Sequence, residues 1–311
     1  MALIGCGALG SAGANLLARA GVGALRLVDR DFVEIENLQR QHLYDQDDAR
    51  RRLPKAVAAT ARVEEINSAV SAEAHVTDVN PDNVEEIIRG CDVVVDGTDN
   101  METRYLVNDA AVKHGIPWIF GAAVEARGMA MAILPGRTAC LRCLMEQTPA
   151  GSAMSTCDTA GVLNTVTTLV AALQTNEALR LLTAWGEASS SLLCLDAWTG
   201  QFEHLSVERR ESCRVCEAGA YEYLEGSAFS SATRLCGRDM IQILPPENRA
   251  LPLRELQESL SELGETTYNG YLLSVKVDGC ELVLFPEGRA LVKGTTEEST
   301  ARKLYARCVG I

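Results

Sequence analysis

Gly5-Cys6-Gly7-Ala8-Leu9-Gly10 follows a short apolar run, Ala2-Leu3-Ile4, and opens into an Ala- and Leu-rich segment that reads as a helix to about Gly21. A Gly-x-Gly-x-x-Gly turn between a strand and a helix has a direct physical reading. Gly5 permits the tight turn, Gly7 lets a phosphate approach the backbone, and Gly10 lets the helix pack close to the sheet. The helix N-terminus offers free N–H groups and the positive end of a dipole to an anion. Ala24-Leu25-Arg26-Leu27-Val28-Asp29 is the next strand, and Asp29 at its end can accept from a ribose hydroxyl. This βαβ unit alone leaves a nicotinamide or flavin dinucleotide and ATP equally open.

Outward from this unit, apolar runs alternate with helical stretches. Asp31 to Leu43 has neither clean alternation nor a helical stripe and reads as a functional loop or short helical turn. Pro54-Lys55 opens a helix to about Ile66, a strand follows near 72–76, and 81–89 is helical. Cys91-Asp92-Val93-Val94-Val95-Asp96-Gly97 is a near-continuous apolar run of the kind buried on both faces of a parallel sheet. Thr98-Asp99-Asn100 then sits at a strand's carboxyl end, where open α/β sheets hold their ligands. A helix at 102–114, strands near 118–120 and 129–134, a Gly-, Ser- and Thr-rich crossover at 148–160, a mostly buried helix at 161–185 and a hairpin at 192–207 follow.

This pattern predicts an α/β, Rossmann-like, doubly wound and mostly parallel sheet over residues 1–217. Residues 218–235 read as a linker. A small α+β domain of βαββα pattern is expected over 236–311.

With 311 residues and 47% hydrophobic content, the chain has material for a sizeable core. A formal charge of −13 and the lack of a basic, aromatic-rich stretch exclude a nucleic-acid binder that works by neutralising phosphates. No segment reaches the roughly 18 apolar residues of a membrane span and no secretory signal is visible, so no membrane is implied and a cytoplasmic protein is expected. Eleven cysteines in such a chain read as reduced thiols or metal ligands rather than disulfides. Cys140/Cys143 and Cys213/Cys216 each have the two-residue spacing that lets two thiolates bind one tetrahedral Zn²⁺, and four thiolates leave no position for water, which marks a structural zinc site. Arg40 and Lys55 can neutralise phosphates, and Asp99 offers a hard oxygen ligand to Mg²⁺. Each charge read singly is equally a solvated surface residue.

Taken in order, the glycine turn, Asp29 within Val28-Asp29-Arg30-Asp31, Asn37-Leu38-Gln39-Arg40-Gln41, Pro54-Lys55, Thr98-Asp99-Asn100 and both cysteine pairs resemble the MoeB/ThiF/HesA family, bacterial relatives of ubiquitin-activating enzymes. The resemblance spans residues 1–217. It implies ATP- and Mg²⁺-dependent adenylation of the C-terminal glycine of a small β-grasp sulfur-carrier or ubiquitin-like protein, by a homodimer. It also implies that Asp29 holds the ribose, that Asn37, Arg40 and Lys55 hold the phosphates, and that Asp99, with Asn100 beside it, holds Mg²⁺. Cys157, in the crossover loop, stands where thioester- or persulfide-forming members keep their nucleophile. Two departures accompany it. Ala8 replaces the family's usual glycine. The chain also starts at its first strand, where relatives have a preceding helix whose arginine reaches the neighbouring subunit's ATP site, so the expectation is a trimmed start or another cation. A non-catalytic scaffold that binds ATP or a carrier, and an NAD-dependent oxidoreductase, are the competing readings. The C-terminal domain is expected to recruit a partner or to stabilise the chain.

Overall fold

The computed structural model describes residues 1–146, 160–184, 191–227, 240–244 and 250–310. Cys157 and Cys236 lie outside the described residues. The chain divides into two compact units, Met1–Phe229 and Ser230–Ile311.

In the first unit β1 (Ala2–Ile4), β2 (Ala24–Val28), β3 (Ser71–His75) and β4 (Val94–Asp96) are parallel, and β5 (Trp118–Val124) joins β4 in the same sense. Antiparallel β6 (Arg127–Ile133), β7 (Ser191–Asp196) and β8 (Gln201–Ser206) extend the sheet to eight strands, in the order β3-β2-β1-β4-β5-β6-β7-β8. Successive residues of a strand point to opposite faces. Ala2, Ile4 and Val94 accordingly enter one core, while Leu3, Val93 and Val95 enter the other. That double burial explains why β1 is apolar throughout and why β4 is apolar up to Asp96, a buried carboxylate.

Helices α1 (Ala8–Ala20), α2 (Gln46–Arg51), α3 (Lys55–Ile66), α4 (Val84–Ile88), α5 (Met101–His114), α6 (Leu141–Leu144) and α7 (Asn164–Thr183) connect and cover the strands. The chain leaves β1 for β2 and β3 on one side, then returns to β4 on the other, so strand order reverses beside β1. A crevice opens at such a switch point, outside the carboxyl ends of the strands. Helix α7, which the sequence reads as mostly buried, is buried on one side only. Val166, Val170, Gln174 and Ala178 face inward, while Leu169 and Leu182 are 38% and 37% exposed. Its apolar content exceeds what its buried side needs, and nothing in the sequence separates the two faces.

Residues 218–227, read from composition as linker, pack onto the first unit. Tyr223 stacks on Tyr105 with ring centroids 5.0 Å apart, its N–H donates to Asp109 Oδ2 at 3.0 Å, and Leu224 is buried beside it.

The second unit holds β9 (Met240–Ile243), α8 (Leu253–Leu260), β10 (Glu265–Tyr268), β11 (Leu273–Val277), β12 (Cys280–Leu284), β13 (Ala290–Lys293) and α9 (Glu298–Val309). Its sheet runs β10-β11-β12-β13-β9 and is antiparallel at every pairing. The five strands exceed the three of the βαββα pattern, and β10 is one that no apolar run marks. It is a polar edge strand, Glu-Thr-Thr-Tyr, without the apolar alternation that marks its neighbours.

Candidate active site and metal centre

The glycine turn lies at the crevice, and its glycines are required by close backbone approach. Gly5 has φ +89°, and a Cβ there would strike the carbonyl of Gly97. A Cβ on Gly10 or Gly97 would strike the Gly5 carbonyl. Three glycines from β1, α1 and β4 are thus interlocked, which brings the first strand's turn against the fourth strand's end. Gly7 is different: the nearest atom to a Cβ there is Gln41 Nε2 at 4.0 Å, so its backbone is open. Helix α1 begins after Gly7 with no side-chain cap, which leaves its first N–H groups, starting at Ala8, to an outside acceptor.

Asp29 is committed to shaping this turn. Its Oδ2 accepts from Cys6 N–H at 2.6 Å and its Oδ1 from Asp31 N–H at 2.7 Å. Burial pushes its carboxyl above the ordinary range, while Lys55 and the two N–H donors oppose that. Lys55 is only 4% exposed, and its Nζ lies 3.2 Å from Asp31 Oδ2. A buried ammonium beside two carboxylates, at the mouth of an open turn, is a ready counter-charge for a phosphate. Tyr44 ties the two segments together by donating to the carbonyls of Cys6 at 2.7 Å and Lys55 at 3.2 Å.

The segment 37–42 is tied to helices α1 and α7. Ser11 Oγ on α1 accepts from His42 N–H, and Asn164 Nδ2 on α7 donates to the Gln39 carbonyl. Asn37 and Gln41 are buried, yet Asn37 Oδ1 and Gln41 Oε1 have no hydrogen-bond partner among the described residues. Two orphaned acceptors beside an open turn are what a site shaped for a ligand or ordered water leaves behind. Gln41 carries no assigned role in the sequence reading; its signal is this orphaned oxygen, visible only in three dimensions. Arg40 is half-buried, and its guanidinium donates to the Glu36 carbonyl at 3.2 Å, within its own turn.

Across the crevice, Asp99 projects from the end of β4 and is exposed. Arg30, which pairs with Asp78 at 2.9 Å, also feels Asp31 and Asp99: burial pulls its pKa down, but these carboxylates more than offset that. A lone exposed carboxylate at a strand end fits Mg²⁺, which keeps several waters and is bound through one or two carboxylates plus substrate phosphates. Asn100 has another use. Its Oδ1 accepts from Thr103 N–H at 2.8 Å and caps α5.

Away from the crevice, the four paired cysteines converge. Their sulfurs all lie within 4.8 Å of one another, with Cys140–Cys143 at 3.9 Å, Cys140–Cys213 at 3.6 Å and Cys143–Cys216 at 3.4 Å. A tetrahedral zinc with bonds of about 2.3 Å spaces its sulfurs by about 3.8 Å, so the cluster fits. Burial, with Cys143 and Cys213 alongside, pushes the Cys140 thiol up to about 12, so four thiolates need a cation among them. The Arg210 N–H donates to Cys143 Sγ at 3.5 Å, and Arg142 pairs with Glu222 while lying over the Tyr105 and Tyr223 rings. The cluster joins α6 to residues 213–216, and Leu141 N–H bonds Asn108 Oδ1 on α5.

Residues 1–215 match the ThiF family. The chain is 40% identical to the sulfur carrier protein ThiS adenylyltransferase of Bacillus subtilis over 311 residues, covering 99% of this chain and 92% of that protein. It is 39% identical to the SAMP-activating enzyme E1 of Haloferax volcanii, over 72% of this chain and 82% of that one. The sulfur carrier protein adenylyltransferase of Thermus thermophilus is 38% identical, over 73% and 86% of the two chains. Among solved structures, E. coli MccB with ATP shares the fold at a TM-score of 0.62 and 22% identity, over 69% of this chain and 65% of that one. With the family's sequence across two thirds of its length and the fold in place, this chain belongs to the ThiF family.

Proposed function

We propose that the crevice binds ATP and transfers AMP to the C-terminal glycine carboxylate of a small β-grasp sulfur-carrier protein. The observation that carries this reading is the open backbone at Gly7 flanked by the buried Lys55, a phosphate cradle with its counter-charge already in place. The names of the similar proteins, two of them sulfur-carrier adenylyltransferases, supply the acceptor class.

A carboxylate oxygen attacks the α-phosphorus, the new P–O bond forms, and the bond to the β-phosphate oxygen breaks to release pyrophosphate. The difficulty is charge, since an anion approaches a polyanion. The N–H groups at the start of α1 and the Lys55 ammonium take up charge at the α-phosphate, and Asp29 faces the ribose. Arg40 swings from its own turn onto the outer phosphates, and Asn37 with its unpartnered oxygen orients the nucleotide. Asp99 would hold Mg²⁺, which would supply charge neutralisation for the leaving pyrophosphate. Cys157 receives the acyl group from AMP in a later step. The enzyme acts as a homodimer in the cytoplasm, a reducing compartment consistent with the free thiols of the nine described cysteines.

The test is carrier-dependent exchange of labelled pyrophosphate into ATP, with each Gly-Gly carrier of the source organism supplied in turn. Arg40→Ala and Asp99→Ala abolish exchange, and Cys157→Ala spares it. Absence of exchange with every carrier overturns the reading.

A further inference from the structure

Asp96 at the end of β4 and the four residues that join it to α5 are held by hydrogen bonds or close packing at every position but one. Asp96, 2% exposed, accepts at Oδ1 from both Thr98 N–H (2.9 Å) and Thr98 Oγ1 (2.7 Å). Gly97 N–H donates to the Ile4 carbonyl at 2.7 Å, and its Cα abuts the glycine turn. Asn100 caps α5. Asp99 alone among them is exposed, at the carboxyl end of β4.

What locks this shape is Arg104, one turn into α5 and 8% exposed. Its Nε donates to Asp96 Oδ2 at 3.0 Å, and its Nη2 donates to the carbonyls of Thr98 at 2.7 Å and Gly121 at 2.9 Å. One planar fork thus reads a carboxylate and two carbonyls from β4, the following turn and β5. An ammonium on a flexible stem cannot match that geometry. The far side is held as well, since Gln174 Nε2 on α7 donates to the Asp96 carbonyl at 2.8 Å.

We propose that the Asp96–Arg104 pair is a positioning device for Asp99, setting that carboxylate for the divalent cation that accompanies the nucleotide. The inference rests on the ATP reading of the crevice. Its physical reason is that Mg²⁺ demands near-ideal octahedral geometry, so a carboxylate one bond rotation away from a loose backbone binds it poorly. Outer partners of this kind typically govern metal affinity by roughly ten- to a hundredfold.

The experiment uses the full chain and a non-hydrolysable ATP analogue. Mn²⁺ binding is followed by electron paramagnetic resonance, and analogue affinity is measured separately in buffer freed of divalent ions. Zinc content and melting temperature report the fold. Arg104→Lys raises the Mn²⁺ dissociation constant about tenfold while metal-free analogue affinity changes less than twofold. In an Asp99→Asn background the same change has no further effect on Mn²⁺. If Arg104→Lys does not fold, Thr98→Val, which deletes only the Oγ1 bond to Asp96, shows the same selectivity with about a threefold effect. Loss of metal and analogue binding in equal measure, unchanged Mn²⁺ binding, or a full Arg104→Lys effect in the Asp99→Asn background overturns the proposal. Wild type that binds Mn²⁺ no better than the free analogue does sinks the ATP reading itself, before any variant is made.

Discussion

The crevice and the cysteine cluster solve opposite problems with opposite materials. At the cluster four side chains converge on one point, are largely buried, and with zinc leave no coordination position open. At the crevice the decisive features are absences: no Cβ at Gly5, Gly7, Gly10 or Gly97 and, among the described residues, no side-chain cap on α1 and no partner for two buried oxygens. A closed set of strong ligands stabilises, because the binding energy of the metal is folding energy. An open set of dipoles and counter-charges stabilises nothing until the ligand arrives. The lesson is that stability and reactivity are housed at separate places in one sheet, and they separate under mutation.

The largest expected effect comes from breaking the closed site. Cys213→Ser removes one zinc ligand, and the loss, on the order of 3–5 kcal/mol, lowers the melting temperature by roughly 10 °C or more. Zinc content by mass spectrometry and a calorimetric scan check it together. Retention of stoichiometric zinc and an unchanged scan break the contrast from that side.

From the other side, Lys55→Met lowers carrier-dependent pyrophosphate exchange by roughly 10²–10³-fold, the usual cost of removing one transition-state charge partner. Its melting temperature stays within a few degrees of wild type. Equal damage to stability and exchange would show that the crevice is structural too.

A third effect sharpens the contrast, because a titrating group sits behind the cluster. Burial pushes the Asp109 carboxyl up to about 6, against the opposing pull of the Tyr223 and Leu224 N–H groups and of Arg142. A carboxyl whose folded pKa is raised favours the protonated folded state. Stability is therefore lost as pH rises from about 4 to about 6 and stays lost above, by about 3 kcal/mol at most. Asp109→Asn is free of that loss, so its stability relative to wild type in urea melts grows between pH 5 and pH 8. A difference that is flat with pH, or that shrinks, refutes the assignment.

The smallest effect belongs to Gln41→Ala. Removing a buried amide with an orphaned oxygen leaves free-protein stability nearly unchanged and weakens nucleotide binding about fivefold, by roughly 1 kcal/mol. Isothermal titration with an ATP analogue measures it. Unaltered affinity would leave the Gln41 oxygen as a water site only.

Much of this was legible in the chain. The glycine turn, the buried run at 93–97 within the expected 91–97 and the Pro54-Lys55 start of a helix lie where periodicity and turn chemistry put them. The two cysteine pairs announced a ligand set that could hold zinc because spacing within each pair is a local property. Other features had no local signal. Strand β10 is too polar to alternate, α7 is apolar on both faces, and Tyr223 lies in a Ser-, Glu- and Gly-rich stretch whose composition resembles linker. Asn100 reads as a site residue next to Asp99, and the structure adds a role that the sequence reading did not name, since its Oδ1 caps α5 by accepting from the Thr103 N–H.

By itself the sequence determined the doubly wound order of strands and helices, the place of the glycine turn and the pairing of the four cysteines that cluster. All three follow from patterns a few residues long. Only the tertiary structure decided that Gly97 interlocks with Gly5 and Gly10, that Arg104 braces Asp96, and that Lys55 is buried against Asp31 beside Asp29. Those pairings join residues distant along the chain, and they are selected by the packing of strand ends against one another, which no local pattern encodes.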